Sequence, residues 1–370
     1  MKRKFYKAAA FLLAAVFFTL QCQCAPKTGA KCSVLMDADT GEILFAEQEN
    51  QQALIASTTK IMTAVVVLEH CDPDREFVIP AEATGIEGSS MYLKAGECLT
   101  IRELLYGLLL QSGNDAAVAL AMACSNSVEE FVALMNVQAQ KLGMKNSHFE
   151  NPNGLDGETH YSSALDLAKL TQYALKNETF AQIVATKNKQ VGSRYLRNHN
   201  RLLWSVEGCI GVKTGFTKAA GRTLVSAATR NGRTLIAVTL CDGNDWQDHT
   251  ALYDYGFSQY TEQIAIQRGE AVAEIPLMDG RTYRLLAGED VLFPLLSGEE
   301  LRVVPAYPRA PFLPEGEACG DVYLGDRLLK RISLQWEEKY EGTNSENYSG
   351  SRPVLPTEGG GMADGGPNSH

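Results

Sequence analysis

The chain has 370 residues, 45% hydrophobic and 21% charged, a composition that describes a globular protein long enough for two domains and a sizeable core. A formal charge of -10, with no basic run or aromatic-interleaved basic patch, argues against nucleic acid as a partner. Nine cysteines and six histidines are scattered without Cys-x-x-Cys or paired ligand spacing, so neither a metal centre nor another cofactor is expected.

Residues 1–25 read as a secretory signal. Lys2, Arg3, Lys4 and Lys7 flank the apolar run Ala8–Leu20, which is too short to span a bilayer comfortably. Cleavage after Cys24 and lipidation of Cys22 or Cys24 are both open, and either places the protein outside the cytoplasm, secreted or at the outer face of the membrane and cell wall. Two cysteines fall in this segment. Cys32, Cys71, Cys98, Cys124, Cys209, Cys241 and Cys319 remain, an odd scatter expected to be mostly buried small hydrophobes and not a disulfide scaffold.

Ser33–Phe45 holds two apolar runs around Asp39-Thr-Gly-Glu42, the pattern of a β-hairpin. It leads into Leu54–Glu69, an apolar helix that begins at Ser57 and carries Lys60 one turn on, so that hydroxyl and amine share a face. Two readings compete. Ser57 could be an N-cap and Lys60 a solvated first-turn residue. A lysine facing the positive end of the helix dipole is disfavoured, however, and a capping box would want Glu or Gln there. The alternative makes Ser57 a nucleophile and Lys60 its base, with burial and the dipole lowering the lysine pKa.

Further on, Thr100-Ile-Arg-Glu103 is a capping box with Leu99 and Leu104 as hydrophobic staple, opening a helix through Leu110. Gln111-Ser112-Gly-Asn114 interrupts it before helical composition resumes at Asp115, leaving Ser112 and Asn114 on a polar turn between apolar helices. Ser127-Val-Glu-Glu130 starts another helix that Gly143 ends, Asn151-Pro-Asn-Gly is loop chemistry, and Ser162 or Ser163 caps a helix through Leu175. Arg222–Arg230 and Arg233–Leu240, joined by Asn231-Gly232, give the strongest hairpin signal in the chain. Lys213-Thr214-Gly215 lies on the strand before it, where a lysine is ordinarily a solvated edge charge. Strand pairs feeding buried helices indicate an α+β fold: an antiparallel sheet with helices on its faces and a helical insert.

After Tyr260 the composition changes. Two further hairpins, at Glu274–Leu286 and Asp321–Leu334, predict a small all-β domain over 261–340, following a catalytic region at 26–260. From Glu341 to residue 370 the chain turns to Gly, Ser, Asn and Pro and is expected to be disordered.

Ser57-x-x-Lys60, Ser112-x-Asn114 and Lys213-Thr214-Gly215 occur in the order of the three motifs of penicillin-recognising serine enzymes. With Asp37–Glu42, Asn151–Leu155, Asn198–Leu203 and Lys213–Gly221, the chain resembles the low-molecular-weight penicillin-binding proteins that act as serine-type D-alanyl-D-alanine carboxypeptidases, peptidase family S11. The resemblance implies a penicillin-binding, β-lactamase-like domain followed by that family's C-terminal β-domain. It implies Ser57, Lys60 and Ser112 as catalytic residues, with Asn114, Lys213, Thr214, Gly215 and Phe216 binding substrate, the last through its N–H in an oxyanion hole with Ser57. The substrate would be a peptidoglycan stem peptide ending in D-Ala-D-Ala, and β-lactams would be covalent inhibitors. Ile55 stands where many relatives have proline and Phe216 where histidine is common. The tail shows no apolar face for anchoring, so membrane attachment would come through the N-terminal end. A β-lactamase shares the motifs, but no Glu-x-x-Leu-Asn pattern lies between Asn114 and Lys213. A non-catalytic penicillin-binding sensor is the remaining alternative.

Overall fold

A computed structural model describes residues 25–277, 280–296, 298–307 and 317–339. Nearly all of the expected signal, residue 340 and the whole expected tail from Glu341 lie outside them.

Strands β1 (Cys32–Asp37) and β2 (Ile43–Glu47) form the first hairpin. Its turn is organised by Asp37, whose Oδ1 accepts from Asp39 N, Thr40 N and Thr40 Oγ1, while Oδ2 is bound by buried Arg233 at 2.7 Å. A one-turn 3-10 helix, Ala56–Thr59, runs into α1 (Lys60–His70). Strands β3 (Glu76–Val78) and β4 (Cys98–Thr100) pair and lead to α2 (Ile101–Leu110), where the predicted box is complete: Glu103 N donates to Thr100 Oγ1 and Thr100 N to Glu103 Oε2. The helical insert continues with α3 (Asn114–Cys124), α4 (Val128–Lys141), α5 (Ala164–Ala174, capped by Ser163) and α6 (Glu178–Ala185). The short hairpin β5 (Asn188–Val191) and β6 (Arg194–Arg197) and the one-turn helix α7 (Leu202–Ser205) return the chain to the sheet. There β7 (Cys209–Thr217), β8 (Gly221–Arg230) and β9 (Arg233–Leu240) follow in succession, then α8 (Asp245–Gln259). Asn231 and Gly232 both have positive φ, as a two-residue hairpin turn requires.

The sheet is antiparallel, in the order β2-β1-β9-β8-β7. Because side chains alternate along a strand, Leu35 packs with Leu235, Leu252 and Tyr253 under α8, whereas Val34 and Met36 join the helical insert on the opposite face. This is the α+β arrangement expected. One consequence governs the site: on β7, which ends the sheet, Lys213 pairs with Val225 and so faces the helical insert.

The cysteines correct the sequence reading. Cys71 and Cys124 form a disulfide, with Cα atoms 6.0 Å apart, and of the unpaired ones Cys32 is buried while Cys98 and Cys241 are exposed. The bridge joins the C-terminal ends of α1 and α3, which only their packing brings together.

The chain divides into two compact units, one running to Ala265 and taking in Val291–Glu300, the other consisting of Ile266–Asp290 and the chain from Leu301. Strands β10 (Thr261–Ile266), β11 (Ala271–Pro276), β12 (Thr282–Ala287), β13 (Val291–Leu295), β14 (Leu301–Ala306), β15 (Ala318–Leu324) and β16 (Arg327–Lys339) follow α8. The return of the chain to the first unit reflects the pairing of β13 with β10. The second unit is built on one antiparallel sheet in the order β11-β12-β16-β15-β14.

Candidate active site

Ser57 lies in the 3-10 turn, and its side chain caps no helix. Its Oγ is instead 3.0 Å from Lys60 Nζ. Lys60, the first residue of α1, is completely buried. Its amine also donates to Asn114 Oδ1 at 2.7 Å and, more closely still, to the carbonyl oxygen of Asn153. Those two oxygens accept only. A neutral amine has two hydrogens and one lone pair, so with both hydrogens spent on Asn114 and Asn153 the lone pair is left for the Ser57 hydroxyl. Burial pushes the Lys60 pKa well below its ordinary value of 10.5; the nearby Lys213 charge adds to this and Asp115 opposes it.

Ser112 stands between α2 and α3 with φ +61°, a left-handed conformation unusual for a side-chain-bearing residue. Its Oγ receives a hydrogen bond from Lys213 Nζ at 3.1 Å. Asn114, the first residue of α3, turns its Oδ1 to Lys60 and its Nδ2 to the Glu87 carbonyl. Next to it, buried Asp115 accepts from Met91 N, Leu93 N and Ser90 Oγ and so fixes the segment before β4 against the turn.

Lys213 is 1% exposed, which overturns its reading as a solvated edge charge. The 3-10 turn packs on the face of β7 and β8, where Thr223 Oγ1 on β8 donates to the Ile55 carbonyl. Burial lowers the Lys213 pKa to about 7. Gly215 makes the close approach possible, since a Cβ there would lie 2.3 Å from Thr223 Oγ1 and 2.9 Å from Ser57 N. The glycine thus has a packing reason within the protein itself.

Ser57, Ser112, Thr214, Gly215 and Phe216 line one cleft of about 740 Å³, and Lys60, Asn114 and Lys213 sit buried behind it, bonded to the two serines or to each other's partners. Every residue singled out from sequence is therefore in one place. Three contributors were missed. The Asn153 carbonyl is a backbone acceptor and carries no side-chain signature. His160, read as structural or exposed, is buried behind the nucleophile turn: its Nε2 bonds Thr59 Oγ1 at 2.7 Å and its Nδ1 accepts from Glu150 N, and burial takes its pKa down to about 4. The third is a cationic wall of the cleft formed by Arg197 and Arg201 with Trp204. A signal for it existed, because Lys187, Lys189, Arg194, Arg197 and Arg201 occur in a stretch with no Asp or Glu. The reading that the chain carries no basic patch is therefore corrected at this cleft, although the net charge of the whole chain is -10.

Comparison with known proteins agrees with this geometry. The family model described as D-alanyl-D-alanine carboxypeptidase matches residues 20–244. D-alanyl-D-alanine carboxypeptidase DacF of Bacillus subtilis (strain 168) is 35% identical over 290 residues, 74% of this chain and 75% of that protein. DacD of Escherichia coli (strain K12) is 36% identical over 263 residues, 67% of this chain and 68% of its own length. Among solved structures, penicillin-binding protein 5 from Haemophilus influenzae superposes with a TM-score of 0.71 at 28% identity, covering 85% of this chain and 98% of that one. A serine and a buried amine in contact, on a fold and a sequence shared over most of their length with these enzymes, leave one assignment: the chain belongs to the D-alanyl-D-alanine carboxypeptidase family, peptidase family S11.

Proposed function

We propose that this protein removes the terminal D-alanine from peptidoglycan stem peptides through an acyl-enzyme on Ser57, and that β-lactams acylate the same oxygen. The supporting observation is the hydrogen-bond inventory of Lys60, whose two carbonyl partners direct its lone pair at Ser57.

In the first half-reaction Ser57 Oγ bonds to the carbonyl carbon between the two D-alanines while Lys60 takes the hydroxyl proton. The N–H groups of Ser57 and Phe216 receive the developing oxyanion. The C–N bond then breaks, and the proton passes through Ser112 to the departing amine. Asn114 holds the substrate amide and keeps Lys60 in place. Lys213 attracts the substrate carboxylate, which the Thr214 hydroxyl binds, and its charge helps to keep Lys60 neutral. Water, activated by the same base, cleaves the ester and returns the proton to Ser57. The proposed location is outside the cytoplasm, supported by the basic-apolar N-terminus and by the Cys71–Cys124 bridge, which suits an oxidising compartment. Any membrane attachment would run through the N-terminal end; among the described residues no single helix is long and apolar enough to cross a bilayer.

Intact-protein mass spectrometry after penicillin exposure is the test. One adduct mapping to Ser57 is expected, with Ser57→Ala losing both the adduct and D-alanine release by a thousandfold or more, an effect of the order of about 4 kcal/mol. An adduct elsewhere, or activity kept in the variant, overturns the assignment.

A further inference from the structure

The catalytic motifs do not use the far wall of the cleft. It is built from the Asn198-His-Asn-Arg stretch, and the way that stretch is held decides what it presents. Asn198 and Asn200 are buried: Asn198 Nδ2 donates to the carbonyls of Val184 and Thr186, and its Oδ1 accepts from Asn200 N. Asn200 Oδ1 in turn accepts from Leu202 N at the start of α7. With the two asparagine side chains anchored in this way, the exposed side chains of Arg197, His199 and Arg201 line the cleft, and Asn198 contributes to its floor. Arg197 and Lys187 both lie over the Trp204 ring, at 5.2 and 5.9 Å from its centroid, which fixes their charges beside the opening.

Two features give this wall a direction. His199 N donates to the Leu110 carbonyl, which ties the wall to the end of α2 immediately before Ser112, and α7 packs on β7, the strand of Lys213 and Thr214. It therefore flanks the side of the site on which, under the proposed function, the C-terminal residue departs. The second feature is charge. Among the described residues neither Arg197 nor Arg201 is joined to an acidic side chain, whereas the remaining arginine of the cleft, Arg222, is held by Asp245 through two bonds of 2.6 and 3.0 Å. Uncompensated cations beside a partly enclosed cleft, in a chain of net charge -10, concentrate anions there and repel cations.

We propose that Arg197 and Arg201 form a leaving-side specificity subsite that selects for negative charge on the C-terminal residue of the peptide, so that the enzyme cleaves a chain ending in an acidic D-residue better than one ending in a basic D-residue. The proposal rests on the reading of Ser112, Lys213 and Thr214 as the leaving-group side. Arg197 and Arg201 are positioning residues in this scheme, and the bonds made and broken are those of the carboxypeptidase reaction.

The test uses the full chain and three peptides alike up to the penultimate D-alanine and ending in D-alanine, D-glutamate or D-lysine, with release of the terminal residue measured. The parent enzyme should favour D-glutamate over D-lysine in kcat/KM by roughly tenfold at low salt, with the ratio shrinking as salt rises. In Arg197→Gln/Arg201→Gln the ratio should collapse toward one, and in Arg197→Lys/Arg201→Lys it should persist, which a purely structural role for the guanidinium groups would not produce. An equal ratio in the parent enzyme, or a preference for D-glutamate unchanged in the glutamine variant, overturns the subsite. Failure to release D-alanine from the first peptide would instead sink the proposed function, so the two failures are distinguishable.

Discussion

Lys60 and Lys213 are two amines of one chemical type that the fold asks to hold opposite charge states. Burial lowers both, Lys60 well below 10.5 and Lys213 to about 7, and the Lys213 charge makes a proton on Lys60 costlier still. The sign of the pH dependence follows. As pH falls Lys60 gains a proton and the base is lost; as pH rises through about 7 Lys213 loses its charge and the hold on the substrate carboxylate weakens. The free enzyme should give a bell-shaped kcat/KM profile with its alkaline limb near 7, and Lys213→Arg, still charged at any working pH, should move that limb upward by about two units or more. Lys60→Arg keeps a charge but cannot supply a neutral base, so penicillin acylation across pH 6 to 10 should be lost as completely as in Lys60→Ala. Acylation by Lys60→Arg near the parent rate would make Lys60 an electrostatic helper. At this scale the sequence was most legible, because hydroxyl, amine and turn residues announce themselves by type and spacing. Asn153 was not, since a backbone carbonyl has no residue type to read, and His160 was not, since its burial depends on segments distant in sequence.

Elements with local causes were legible too. Thr100 and Glu103 close the cap of α2, Ser163 caps α5, Gly143 ends α4 in a left-handed conformation and Asn231-Gly232 turns β8 into β9. Non-local facts were not: that β7 is an edge strand, and that the nucleophile turn packs on the face of β7 and β8, follow from topology. The same packing creates an acid liability. His249 of α8 is fully buried, with its ring nitrogens bonded to Ser226 on β8 and Thr239 on β9, and burial takes its pKa to about 3, as it takes that of His160 to about 4. Below pH 6.5 the unfolded chain binds protons at these histidines that the folded chain refuses, so stability falls with pH until the folded values are reached. Each contributes a slope of about 1.4 kcal/mol per pH unit. Asp242, raised to about 6 by burial, works in the opposite sense between 3.8 and 6. Urea midpoints at pH 7.5 and 5 should therefore drop on acidification, and His249→Gln should flatten the dependence even if it lowers the midpoint at pH 7.5.

For the whole molecule, every motif residue precedes β10, and the second unit is proposed to be dispensable for chemistry. A chain ending near Tyr260 should still be acylated by penicillin if it folds, and a folded truncation that is not acylated would assign the β-domain a part in shaping the site. That truncation also removes β10 and β13, a strand pair that belongs largely to the first unit, so a chain that keeps the pair is the control. The Cys71–Cys124 bridge has a consequence at this scale as well. Helices α1 and α3 are each 11 residues long; Lys60 and Asn114 meet at their beginnings and the two sulfurs at their ends, so they run side by side as the rails of a short ladder with one rung at each end. One rung is a hydrogen bond that the chemistry needs and the other is covalent. Sliding one rail against the other would break the first only by tearing the second. The alignment of a proton acceptor is thus fastened about 16 Å away, the length of an 11-residue helix, at a point no substrate touches.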